Sequence, residues 1–221
     1  KKIVEQVLVS ILSSGNTLIV GVPGLGKTLL FKTLSESLKL ESRRIQCTPD
    51  LMPFDIIGTE ILSSKDVKKF SFIKGPIFCQ ILMVDEINRA SPRTQSALLQ
   101  AMQEGFITVN GKNFELPKPF IVLATENPIE QEGTYNLPEA QLDRFLMQVN
   151  ISYPEIETEK KILIGLPDKK RSSYNFQSEN LLELIKVINE LPVGESVLTF
   201  VLNLIRNLRP ESSKFDFIKK Y

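Results

Sequence analysis

Residues 21–28, with the sequence GVPGLGKT, constrain the fold of this chain more than any other stretch. They match the pattern G-x-x-x-x-G-K-[ST], in which glycines let the backbone curl so that successive N–H groups point at one anion. The apolar run Thr17–Val22 leads into the pattern, and the helical run Leu29–Leu38 follows it. We therefore predict a buried strand, a phosphate-binding loop and a helix, in that order.

The chemistry of this loop predicts which residues contact a nucleotide. Lys27 can reach the β- and γ-phosphates of ATP, and the Thr28 hydroxyl can ligate Mg²⁺. The positive end of the following helix dipole favours the same anion. The predicted nucleotide-binding residues are Gly21, Pro23, Gly24, Leu25, Gly26, Lys27, Thr28 and Leu29.

An acidic pair, Asp85 and Glu86, ends the apolar run Ile81–Val84. A carboxylate at the end of a buried strand beside a phosphate loop is placed to hold Mg²⁺, so we assign the metal to Asp85 together with Thr28. Glu86 can then accept a proton from an attacking water. The alternative is an exposed acidic pair with no role in catalysis.

Two further residues are catalytic candidates. Asn127 follows the next apolar run and can orient a water or contact the γ-phosphate, although asparagine before Pro128 is also a turn former. Arg144 lies in a predicted short helix and can neutralise charge on a transferring phosphoryl group. Its alternative is a local salt bridge with Asp143 or Glu139, and the same pair of interpretations applies to Arg89 and Arg93.

Short apolar runs alternate with helical patterns through the first two-thirds of the chain, which predicts a parallel sheet sandwiched by helices. Further strands are predicted at Arg44–Cys47, Gln80–Asp85, Phe120–Thr125 and Met147–Ile151. Beyond residue 152 the pattern is helical, at Glu155–Leu166, Ser178–Glu190 and Gly194–Leu208, with a polar loop between the first two. We predict an α/β domain over residues 1–152 and a helical domain over residues 153–221.

Two segments interrupt the alternation. Glu60–Phe72 has a polar centre between apolar flanks and predicts a protruding loop or hairpin. Ile107–Leu116 contains Asn110-Gly111, the dipeptide favoured in type I′ hairpin turns.

Composition excludes several function classes. The chain has no histidine, which excludes a Ser-His-Asp triad and a histidine-ligated zinc. Its two cysteines, Cys47 and Cys79, are predicted to be buried free thiols. The net charge of +1 gives no argument for a nucleic-acid partner. No apolar run is long enough to span a bilayer, and the N-terminal run keeps helical spacing, so a cytoplasmic protein is expected.

These stretches together resemble the MoxR-type AAA+ ATPases over nearly the whole chain. The resemblance is carried by residues 21–28, 44–61 (RIQCTPDLMPFDIIGTEI), 75–104 (GPIFCQILMVDEINRASPRTQSALLQAMQE) and 119–145 (PFIVLATENPIEQEGTYNLPEAQLDRF). It implies a P-loop NTPase fold with a five-stranded parallel sheet and a C-terminal helical lid, assembled as a hexameric ring with ATP between subunits.

The resemblance also implies residue roles and partners. Asn127 matches sensor 1, Arg144 matches the arginine finger that completes a neighbour's site, and the two interrupting segments match pore-facing hairpins. A chaperone-like remodeller of client proteins, often with a von Willebrand A-type partner, is the function implied. The family's second sensing arginine would lie where the sequence stops, at Tyr221, so a truncated lid is expected. Glu126 stands where glutamine is more usual.

Two other functions stay open on the sequence. The first is a nucleic-acid motor of a related branch, because Lys65, Lys68 and Lys69 lie close to Phe70 and Phe72. The second is a nucleotide-dependent binding switch with little turnover.

Overall fold

The computed structural model describes residues 2–62, 70–129, 133–165 and 178–220. The helices are α1 (Lys2–Leu12), α2 (Lys27–Leu38), α3 (Pro53–Ile57), α4 (Pro92–Glu104), α5 (Glu139–Leu142), α6 (Ile156–Ile164), α7 (Ser178–Glu190) and α8 (Glu195–Leu208). The strands are β1 (Thr17–Val20), β2 (Ser42–Gln46), β3 (Gly58–Leu62), β4 (Phe70–Lys74), β5 (Ile81–Asp85), β6 (Phe106–Val109), β7 (Lys112–Glu115), β8 (Ile121–Glu126) and β9 (Met147–Asn150).

Five of these strands form one parallel sheet in the order β2-β5-β8-β1-β9. Each of the five overlaps a strand predicted from the sequence, and the predicted α/β class with a five-stranded parallel sheet is confirmed. The strand order places β5, β8 and β1 side by side in the centre. Their carboxyl ends therefore meet at one edge, which is where ligands bind in open parallel sheets.

The central strands are buried on both faces, as their continuous apolar runs predicted. In β5, Leu82 and Val84 pack into the core on one face, while Ile81 and Met83 pack on the other. Helix α2, which follows the phosphate loop, packs on the second face through Phe31. Burying one such side chain contributes about 1.5–3 kcal/mol, so the sheet is a rigid support for its carboxyl edge.

Two antiparallel hairpins lie outside the main sheet, β3 with β4 and β6 with β7. Asn110 and Gly111 have φ angles of 47° and 76°, the two positive values of a type I′ turn, so that prediction is confirmed. Within the segment predicted as a protruding loop or hairpin, Glu60–Phe72, residues 63–69 lie outside the described residues.

The C-terminal third is helical, as predicted, through α6, α7 and α8. The predicted polar loop at 167–177 lies outside the described residues. The chain separates into two compact units, Lys1–Ile185 and Lys186–Tyr221, and the proposed boundary after Ser152 stays a prediction.

Within the described ranges, no helix combines the length and apolar character needed to cross a membrane. The cytoplasmic location also stays a prediction.

Candidate functional site

A cavity of about 350 Å³ opens at the carboxyl edge of the central strands. Its wall contains Lys27 and Thr28 from the glycine loop, Asp85 and Glu86 from the end of β5, and Asn127 from just beyond β8. The other residues of the wall are Pro23, Gly24, Gly26, Arg44, Gln46 and Thr125. The structure thus brings together residues as far apart in the sequence as Pro23 and Asn127.

The backbone of the glycine loop explains its residue types. Gly24 and Gly26 have φ angles of 85° and 77°, in the left-handed region that glycine adopts without a steric penalty. A Cβ at Gly21 would lie 2.8 Å from the carbonyl oxygen of Ile151, so this position has no room for a side chain. Because α2 starts directly after Gly26, the N–H groups of its first turn face the cavity edge.

The Lys27 ammonium group hydrogen-bonds the carbonyl oxygen of Gly21. Burial lowers the pKa of Lys27 from its ordinary value, while the nearby carboxylates of Asp85 and Glu86 act in the opposite direction. A cation in a partly desolvated cavity attracts an anionic ligand more strongly than an exposed one. Lys27 is therefore positioned where its ammonium group can bind a phosphate group.

The carboxylate of Asp85 is almost completely buried and has partners on both oxygens. The Nε and Nη2 atoms of Arg44 each lie 2.6 Å from Oδ2. The Thr125 hydroxyl donates a hydrogen bond to Oδ1 over 3.2 Å. A buried charge needs such partners, and a cation and a hydroxyl together satisfy it.

Glu86 has a left-handed backbone, with φ at 54° and ψ at 53°. Its N–H donates to the Thr125 hydroxyl oxygen at 2.9 Å, so one threonine fixes both acidic residues. The Oε2 atom of Glu86 accepts hydrogen bonds from Gln46 Nε2 at 2.9 Å and from Arg89 Nη1 at 3.2 Å. Arg89, a candidate from the sequence, thus forms a local ion pair with Glu86.

Asn127 is 3% exposed, and its amide is oriented by its own loop. Its Oδ1 atom accepts a hydrogen bond from the Ile129 N–H at 3.3 Å. Its carbonyl oxygen accepts one from Asn88 Nδ2 at 3.3 Å. The bond from Asn88 connects the end of β8 to the short 3₁₀ turn that follows Glu86.

Arg144 lies away from this cavity. Its Nε donates to Gln103 Oε1 at 3.2 Å and its Nη1 to the Ala140 carbonyl at 2.7 Å. Together with Met102, Gln103, Ala140 and Asp143 it lines a separate hollow of about 430 Å³. The local salt bridge with Asp143 or Glu139 is not among the contacts of the described chain.

Three predicted nucleotide-binding residues, Gly21, Leu25 and Leu29, also lie outside the cavity wall.

Comparison with known proteins places this geometry in a family. The profile described as "ATPase family associated with various cellular activities (AAA)" matches residues 16–147. The Chaperone MoxR1 of Mycobacterium tuberculosis is 40% identical over 225 residues, covering 100% of this chain and 59% of that protein. The chain belongs to the MoxR-type AAA+ ATPases.

Two other relatives are similar to this MoxR-type chain. The uncharacterised protein YeaC of Bacillus subtilis is 40% identical over 210 residues, which is 93% of this chain and 65% of YeaC. A Cytophaga hutchinsonii protein, assigned as an ATPase and solved by crystallography, superposes with a TM-score of 0.80 at 39% identity. That match covers 94% of this chain and 64% of the solved one, so the chain spans about two thirds of these relatives' length.

Three residues of this MoxR-type site were missed by the sequence analysis: Arg44, Gln46 and Thr125. The signal that could have found them is strand periodicity. Arg44 and Gln46 are two apart on β2, and Gln46 is in register with Asp85 on β5. Thr125 is the first polar residue to follow the apolar part of β8.

Two titratable groups beside the site have raised pKa values. Burial, with a smaller effect from Asp85 and Glu86, raises the pKa of the Cys47 thiol to about 12. Burial also raises the pKa of Glu126 above the ordinary glutamate value. Cys47 and Cys79 are both buried and unbridged, as predicted. The Cys47 thiol is therefore neutral near pH 7 and is not a nucleophile for this site.

Proposed function

We propose that this chain binds ATP with Mg²⁺ and hydrolyses it to ADP and phosphate. The observation that carries the proposal is the single cavity that holds Lys27, Asp85 and Glu86 beside the start of α2. Its volume, about 350 Å³, is within the range of small-ligand sites. The membership of the AAA+ ATPases supports the same chemistry.

The main chain of the glycine loop and the first turn of α2 would bind the β- and γ-phosphates. Lys27 would exchange its bond to the Gly21 carbonyl for one to a phosphate oxygen, because the anion is the stronger acceptor. Gly24 and Gly26 leave the loop without side chains that would block a triphosphate, and no atom outside their neighbours lies within 4 Å of a Cβ built there.

The residues present fit a magnesium ion held jointly by protein and nucleotide. Within the described ranges, no group of three or more His, Cys, Asp or Glu side chains could hold a metal alone. Asp85 and Thr28 offer hard oxygen donors in one wall, and Mg²⁺ is typically bound by one or two protein ligands plus substrate phosphates. When bound, the ion would neutralise charge on the phosphates during transfer.

Glu86 would accept the proton of the attacking water, and Asn127 would orient that water or the γ-phosphate. Gln46 and Arg89 hydrogen-bond the Oε2 atom of Glu86 at 2.9 and 3.2 Å, which orients the carboxylate and leaves Oε1 to take the proton. Arg144 would act in the site of a neighbouring subunit of a hexameric ring. Its position outside its own cavity supports that role.

For the biological role we propose a chaperone-like remodeller that uses ATP to assemble or activate client proteins, with a von Willebrand A-type protein as the class of partner. One relative is named a chaperone, MoxR1 of Mycobacterium tuberculosis, which is the support for this part of the proposal.

The nucleic-acid motor receives less support from the structure. The Phe72 ring packs against Phe78 and Phe114, with centroids 5.8 and 4.4 Å apart, so it is not free to stack on a base. Phe70 is 64% exposed, whereas Lys65, Lys68 and Lys69 lie outside the described residues. Salt-sensitive stimulation of phosphate release by single-stranded DNA would favour the motor. Nucleotide binding without phosphate release would favour the switch.

The first prediction tests nucleotide binding. Saturation with MgADP at about 100 times Kd should stabilise the wild type by about 2.7 kcal/mol, which corresponds to a rise in Tm of about 5–10 °C for a chain of this size. Lys27→Ala should abolish the rise, because the half-buried cation would contact the phosphates. Lys32→Ala, an exposed lysine on the same helix, is the matched control and should keep it. Equal stabilisation of both variants would contradict the proposal.

A further inference from the structure

Arg44 pairs with one carboxylate oxygen of Asp85, the residue proposed to hold the metal. Two of its nitrogens, Nε and Nη2, contact the same atom, Oδ2, at 2.6 Å. The other carboxylate oxygen is bonded to Thr125. Both oxygens of the proposed metal-holding acid therefore have protein partners.

The positive and negative side chains of the cavity wall are equal in number. The charged residues of the wall are two cations, Lys27 and Arg44, and two anions, Asp85 and Glu86. A divalent cation next to Asp85 would lie close to the Arg44 guanidinium if that group stayed in place. The metal ion and the guanidinium are both positive, and two positive charges side by side in a half-buried site repel each other strongly.

The two partners differ in how easily they can move. The Asp85 side chain is 9% exposed and is fixed at the end of a central strand, whereas the Arg44 side chain is 51% exposed on the edge strand β2. Arginine has a long flexible stem, so its head group can leave Asp85 for solvent or for a phosphate without a change in the backbone. The carboxylate stays, and the guanidinium is the group that leaves.

The geometry points to Arg44 as a metal-exchange residue: its guanidinium pairs with Asp85 in the metal-free protein and is displaced when Mg²⁺ arrives with the nucleotide. This inference rests on the proposed function. Arg44 lowers the affinity of the empty site for a free metal ion, and it shields Asp85 from the phosphates of a metal-free nucleotide. The first effect keeps a free metal ion out of the site until the nucleotide brings further ligands, and the second makes nucleotide binding less dependent on the metal.

Mn²⁺ titration of the nucleotide-free protein, followed by the EPR signal of free Mn²⁺, tests the first effect. Arg44→Gln should bind Mn²⁺ on the order of tenfold more tightly than the wild type, because a competing positive charge is removed. Arg43→Gln is the matched control: Arg43 is the adjacent arginine on β2, is 59% exposed and pairs with Glu41 instead. It should behave as the wild type. Addition of Asp85→Asn to Arg44→Gln should remove the gained affinity.

A fluorescent ADP analogue tests the second effect. For each protein, the Kd of the analogue in EDTA is divided by its Kd in saturating Mg²⁺. This ratio should be at least about tenfold larger in Arg44→Gln than in the wild type or in Arg43→Gln. Unchanged Mn²⁺ affinity in a folded Arg44→Gln protein, or no detectable Mn²⁺ binding by it, would overturn the inference. Failure of the wild type to bind the analogue in either buffer would instead overturn the proposed function, and the Mn²⁺ comparison would still decide the role of Arg44.

Discussion

At the scale of single residues, the position of Glu86 depends on an unusual backbone conformation. A left-handed non-glycine residue costs about 1–2 kcal/mol, and here Thr125 offsets part of that cost by accepting the Glu86 N–H at 2.9 Å. The turn directs the side chain into the cavity, whereas a continued strand would place it on the opposite face from Asp85. The adjacent acids can therefore serve one site because the chain leaves the strand between them.

The residue-scale prediction concerns this carboxylate. Glu86→Gln should retain nucleotide binding and lose hydrolysis by on the order of 10²-fold or more, because the amide keeps the shape and cannot accept the proton. Phosphate release under saturating MgATP is the measurement. Glu104→Gln, on an exposed position of α4, should release phosphate at the wild-type rate. A normal rate in Glu86→Gln would remove this residue from the role of base.

At the scale of elements, the two hairpins are joined to each other. The Asn110 amide at the tip of β6–β7 donates to Glu60 of β3 at 2.7 Å. The Phe72 ring of β4 lies 4.4 Å from that of Phe114 in β7. A displacement of one hairpin therefore changes the contacts of the other.

The element-scale prediction concerns the turn that forms the second hairpin. Gly111 has φ at 76°, and a Cβ built there meets no atom within 4 Å, so the cost of a side chain is that of the backbone alone. Gly111→Ala should lower the free energy of unfolding by about 1 kcal/mol, a fall in Tm of about 2–4 °C. Because asparagine tolerates the left-handed region, Gly111→Asn should lose less. Urea denaturation of the three proteins measures their free energies of unfolding. Equal losses of free energy in the two variants would contradict a type I′ turn.

At the scale of the whole molecule, the site of one chain is incomplete if Arg144 is the arginine finger. The arginine lines a hollow of its own with Gln103 and Asp143, separate from the cavity of Lys27 and Asp85. A second subunit would have to present its Arg144 to this cavity. Hydrolysis would then require oligomeric assembly.

The molecule-scale prediction tests action between subunits. In an assembly-competent form of the protein, Arg144→Ala should reduce turnover by about 10³-fold or more and leave nucleotide affinity nearly unchanged. Mixing it with Lys27→Ala subunits should restore part of the phosphate release, since each variant supplies the group that the other lacks. Arg43→Ala, at an exposed arginine that pairs with Glu41, is the control and should keep normal turnover. No recovery on mixing would indicate that Arg144 acts within its own chain.

The sequence by itself determined the strands, the glycine loop and the acidic pair, because these follow from local rules. An apolar run such as Ile81–Val84 must be buried on both faces, and a loop with the pattern of residues 21–28 has few stable conformations. The same rules predicted the Asn110-Gly111 turn. The resemblance to a family then supplied roles that spacing alone left open for Asn127 and Arg144.

Only the tertiary structure decided which side chains share the cavity. The pairing of β2 with β5 brings Arg44 to Asp85 and Gln46 to Glu86, about forty residues away in the chain. Such contacts depend on strand order and register, which are set by the packing of the whole sheet and not by any local pattern. The identity of the groups that hydrogen-bond the Asp85 and Glu86 carboxylates is therefore a property of the fold.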